Sequence, residues 1–164
     1  MRHIPARLAA FRNRQDGAVL VEFALMLPVM LLVFAAIIEG GRMMWSYQAA
    51  VSGVRDAARY LARAAPQDIC AAGGSVAGYE PQLTAIVRQS LQGDTLFPAS
   101  LNVTSVTAAL SCHAGSYRIS PSPVVEVRAN LTMIFPFAGV FTLNGGSRPA
   151  VSTVIADQSR VFGT

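Results

Sequence analysis

The sequence predicts an α+β protein: a long N-terminal membrane-spanning helix followed by a small extracytoplasmic domain with a short helix and an antiparallel sheet. Three observations carry this. The 21 residues from Ala18 to Ile38 are apolar except for Glu22 and Pro28. A helical period of three and four then continues to Pro66. Beyond residue 100 the pattern changes to alternation, most cleanly in "VVEVRANLTMIF".

The apolar run comes first in the argument. At about 1.5 Å per residue it is roughly 31 Å long, close to the roughly 30 Å hydrocarbon core of a bilayer. Pro28 is tolerable in a membrane helix, as a kink. Arg2, Arg7, Arg12 and Arg14 precede the run, with only Asp16 against them. The rest of the chain is nearly neutral, so the net charge of +4 reads as a topology signal rather than a nucleic-acid footprint. The expected arrangement is a basic, disordered cytoplasmic leader (1–17), a span (18–38) in the inner membrane, an extracytoplasmic stem (39–65) and a periplasmic α+β domain (66–164). No nucleic-acid partner is expected.

In the stem, Val51, Val54, Ala58, Leu61 and Ala65 form an apolar stripe. Gln48, Ser52, Arg55, Arg59 and Arg63 form a polar one beside it. Asp56 can pair with Arg59 or Arg63, a contact worth only tenths of a kcal/mol on the surface. Gly40-Gly41 is a soft spot, and Trp45 and Tyr47 suit the headgroup layer. Pro66 ends the helix, and residues 66–79 read as a loop.

"PQLTAIVRQSLQG" predicts a second helix from Pro81, with Leu83, Ile86, Val87 and Leu91 on its apolar face and Gly93 as its C-cap. "SLNVTSVTAALSC" predicts a strand whose alternation slips near Ser105, as at a bulge. The next strand alternates from Val125 to Phe135, after a loop with Gly115 and Ser120 to Pro123. Asn144-Gly145-Gly146 predicts a turn, and "VSTVIADQSR" a last strand. The apolar "FPFAGVFTL" suits a core, a membrane surface or a partner.

Cys70 and Cys112 fall in the exported part, where disulfides persist. A bridge between them is expected, with two buried free thiols as the alternative. Neither a metal site nor a cofactor is predicted. Cys112-His113 does not make a nucleophile and base, because neighbours in a strand point to opposite faces; a bridged Cys112 beside a loop His113 is the reading instead. There is no G-x-S-x-G, and the chain has no Lys for a phosphate loop. The chain reads as a non-enzyme.

An ionised carboxylate in a bilayer is costly, which makes Glu22 a functional candidate. One reading is that it reaches back to the headgroups. The other gives it a partner charge: a cut after Gly17 would leave an α-ammonium on Ala18. Glu22 lies four residues further along the same helix, about 6 Å in rise, and could neutralise that amine or a neighbouring subunit's.

Gly17 followed by "AVLVEF", with Glu22-Phe23, resembles the processing site of type IV pilin-like proteins. More narrowly, residues 16–65 resemble the TadE-like family of the tight-adherence (Flp) pilus system. The resemblance rests on Glu22-Phe23, Leu27-Pro28, Glu39 with Arg42, and Ala57-Ala58-Arg59-Tyr60. It implies a minor pilin or pseudopilin, cut between Gly17 and Ala18 by a prepilin peptidase. Its partners would be that peptidase and other pilin and pseudopilin subunits. A TadF-like protein shares the anchor style. The rival readings are an uncut single-pass envelope protein and a secreted enzyme with a signal peptide.

Overall fold

The computed structural model describes residues 16–92, 101–134 and 150–163. Two compact units divide the chain between Ile38 and Glu39. Helix α1 runs from Asp16 to Ala64, without a break at Pro28 or at Gly40-Gly41. Its start is two residues earlier than the apolar run implies. Gly17 is therefore helical.

In the first unit no apolar side chain of the helix is buried. Leu25 is 71% exposed and Val19 69%. This stretch has the length and composition of a membrane span. An all-apolar helix has no polar face to give to water, so its surroundings must be apolar too.

The second unit has its own core. A 3-10 turn at Ala77–Tyr79 leads into helix α2, Glu80–Gln92. Strands β1 (Leu101–His113), β2 (Ser122–Ile134) and β3 (Ala150–Arg160) follow. They form an antiparallel sheet in the order β1-β2-β3. Val125, Val127, Ala129 and Leu131 of β2 are buried, together with Val103, Val106 and Ile155 from its neighbours. Against them pack Ala50, Val54, Ala57, Ala58, Leu61 and Ala62 of α1, and Leu83 and Val87 of α2. Fully burying one Leu or Val side chain stabilises by about 1.5–3 kcal/mol.

The alternation slip in β1 is a bulge. Val103 pairs with Leu131 and Ser105 with Asn130, so Thr104 is the extra residue. The extra residue restores the pleat, and Val106, Ala108 and Leu110 return to the core side. On the opposite face, Asn130 donates to Ser105 at 2.8 Å, and the Thr104 and Thr132 hydroxyls are 3.3 Å apart. Arg128 lies across Glu126 there at 2.8 Å. The hydrogen bond from Arg128 holds the Glu126 carboxyl below the usual range, and Glu126 raises Arg128 in turn.

The free edge of β1 is guarded: the Ala108 amide donates to a carboxylate oxygen of Glu80 at 3.2 Å. The last turn of α1 is also tied, since the Tyr79 hydroxyl donates to the Ala64 carbonyl at 3.1 Å. That carbonyl is one of the four left without a partner at a helix end.

Four expectations need correction. Asp56 makes no ion pair with Arg59 or Arg63 among the described residues. Arg63 is two turns away, and an exposed pair is worth too little to hold two side chains in one geometry. Tyr47 packs against the core of the second unit rather than being given to a headgroup layer. Ser122 and Pro123 belong to β2, because Pro123 stands at its start, where its carbonyl accepts from the Val161 amide. His113 closes β1 rather than lying in a loop. The expectations for the leader up to residue 15, Gly93, Phe135, the turn at Asn144 and "FPFAGVFTL" lie outside the described residues.

Candidate functional site

The site that the sequence points to is the beginning of α1. Gly17 lies in its first turn, and a Cβ placed there would meet no atom within 4 Å. Ala18, Glu22 and Phe23 follow on the same helix, and all are exposed. Ala18 and Glu22 are one turn apart on one face, as residues four apart must be. Chemically, the arrangement offers an uncrowded glycine peptide bond and a carboxylate one turn beyond it.

The structure joins the other sequence-predicted pair. Cys70 and Cys112 are disulfide-bonded, with their Cα atoms 5.8 Å apart. The bridge ties the loop after α1 to the end of β1, across a sequence separation of 42. The pair is remote in sequence from Gly17 and belongs to the second unit.

Of the other motif residues, Glu39 and Arg42 are half-buried, and both have interaction partners. Ala57 and Ala58 are fully buried, while Arg59 and Tyr60 point outward. The small pair belongs to the core of the second unit. Residues 17–59 match the family model for TadE-like protein.

The TadE-like segment starts on Gly17 and ends on Arg59. It therefore takes in the whole exposed apolar stretch and part of the core-facing stem. Residues 60–164, with α2 and the sheet, lie beyond the match. No curated protein and no solved structure matches the chain.

Sequence reasoning missed the two residues that secure the stem and the sheet edge. Tyr79 and Glu80 carry no motif, and their roles depend on Ala64 and Ala108, which are distant in the chain. It also missed a cleft lined by Arg118 and Arg160. These two arginines are 42 positions apart and come together only because β2 and β3 are paired.

Proposed function

We propose that this chain is a membrane-anchored subunit of a tight-adherence (Flp) pilus system, a minor pilin or pseudopilin. On this reading a prepilin peptidase cuts between Gly17 and Ala18. The observation that carries it is the TadE-like match over residues 17–59, which opens on that glycine and includes Glu22-Phe23. The first helix anchors the chain in the inner membrane, N-terminus inside. The second unit stands in the periplasm, where its disulfide persists.

After the cut, the new ammonium on Ala18 and the Glu22 carboxylate can satisfy each other. The partner amine can be on this chain or on a neighbour. In either case two charges that are costly alone in lipid become tolerable as a pair. The apolar helix then serves first as an anchor and later as a packing element among other subunits.

N-terminal sequencing of the protein from its membrane tests the reading. A start at Ala18 is expected; a start at Met1 makes the chain an uncut envelope protein, and a start beyond residue 38 makes it a secreted one. Gly17→Val is expected to accumulate at full length. Glu22→Gln separates the charge pair from the cut: it should be trimmed normally yet fail to co-purify with partner subunits. Normal trimming with normal assembly would leave Glu22 without a pairing role.

A further inference from the structure

At the disulfide-bearing end of the sheet, the loop before β2, the end of β3 and the loop after α1 enclose a cleft of about 370 Å³. It is lined by Gln67, Arg118, Ile119, Arg160, Val161 and Phe162. Arg118 and Arg160 thus line one cleft, and among the described residues no acid lines it. Neither arginine has an acid within 4 Å or a side-chain hydrogen bond among the described residues. Asp68, next to Gln67 in the chain, and Asp157, three residues before Arg160, are both outside the lining. Each guanidinium carries five N–H donors in a planar fork that fits a carboxylate. Two like charges in one concave place, with no counter-ion of their own, raise the local preference for an anion.

Apolar Ile119, Val161 and Phe162 share the rest of the lining with Gln67, on a firmly held backbone. Phe162 is 64% exposed, and Ile119 is half-buried beside it. The backbone under Phe162 is fixed on both sides. Val161 donates to the Pro123 carbonyl at 3.0 Å and Phe162 to that of Ala62 at 2.9 Å. The Gln67 amide donates to the Phe162 carbonyl. Gly163 follows with φ of +65°, where a Cβ would meet the Gln67 backbone nitrogen at 2.8 Å. The backbone under the aromatic ring is thus set before any ligand arrives, which lowers the ordering cost of binding.

We propose that the Arg118–Arg160 cleft docks an acidic segment of a protein partner, taking a carboxylate on the two guanidinium groups and an apolar side chain against Phe162 and Ile119. A bare anion would use the arginines and leave the exposed ring idle. An acidic peptide with an apolar neighbour uses both. The cleft lies wholly within the second unit, so it can act whether or not the chain is cut at Gly17.

The test uses the full chain in detergent and a short fluorescein-labelled peptide of alternating glutamate and leucine, read by anisotropy. Saturable binding that weakens with added salt is expected. Arg118→Gln and Arg160→Gln should each weaken it by up to about fivefold, the range of an exposed charge contact, and together by more. Phe162→Ala should weaken it as well. Both arginines are exposed, so the variants should unfold at the wild-type temperature. Arg55→Gln, on an exposed face of the stem, should bind as wild type does. The idea fails if the peptide does not saturate, or if the glutamine variants bind it unchanged. It fails equally if a glutamine-leucine peptide binds as well, or if inorganic phosphate displaces the peptide at the peptide's own concentration.

Discussion

The two halves of α1 are built from similar apolar residues and meet opposite surroundings. In the span, Leu25 is 71% exposed; in the stem, Leu61 is 0% exposed. The difference lies in arrangement rather than in hydrophobicity. From Ala18 to Ile38 apolar side chains go all the way round, and no single face could satisfy them inside a small domain. From Ala50 to Ala65 they keep to one side, with Ser52, Arg55, Arg59 and Arg63 on the other. One helix thus addresses two solvents, and the period of its side chains says where each begins.

This contrast can be broken most forcefully at the disulfide. For a closed loop of this size the chain-entropy model gives about 4 kcal/mol, by a mechanism that is disputed. Cys70→Ser should lower the unfolding free energy of the second unit by about that much, in denaturant titrations followed by near-ultraviolet circular dichroism. The span should keep its helicity in the same sample, since it has no part in that core. Next comes a matched pair of truncations. Leu61→Ala should cost about 2–5 kcal/mol, because it leaves a cavity in a packed core. Leu25→Ala should leave the same melt in place and act only on membrane retention. Equal losses of domain stability would erase the distinction between the two halves.

A smaller effect is expected at the junction of stem and domain. Tyr79→Phe removes the donor to the Ala64 carbonyl and should cost about 1 kcal/mol. Hydrogen exchange should rise in the last turn of α1 and stay level in the span. The smallest effect belongs to the outer face of the sheet. The Glu126 carboxyl is held low chiefly by its hydrogen bond from Arg128. A depressed carboxyl adds stability above its unfolded-state value, and that contribution is lost as the pH falls through the lower folded-state value. Wild type should therefore lose slightly more stability than Glu126→Gln from the ordinary carboxylate range downward in pH, as acid titrations of the melting temperature would show. The pair is exposed, and the difference should be modest.

Local pattern carried much of this molecule. The stem stripe, the second helix, the central strand and the slip near Ser105 were all legible, because each follows from a period of two or of three to four along a short stretch. The wider packing surface of α1 was not. Ala50, Ala57 and Ala62 are buried beside the expected stripe, and alanine suits a helix whether it is buried or exposed. Contacts across long sequence separations were also hidden. The Glu80 carboxylate on the Ala108 amide depends on how α2 lies along β1, which neither segment encodes alone. The candidate site at Gly17 is the reverse case: its residues are contiguous, so the TadE-like pattern that the family model also matches was readable before any fold was known.

The guarded edge of β1 has a consequence when many copies of the chain are crowded together. A strand with open amides is a template on which an identical strand can grow, and such growth does not stop at two. Here one amide of that edge is already committed to Glu80, the bulge at Thr104 bends the strand, and Cys112 is tethered to Cys70. An incoming strand would have to evict a carboxylate and follow a kinked, anchored path. The β1 side of the domain is thus a poor seed for runaway stacking, even at high local concentration.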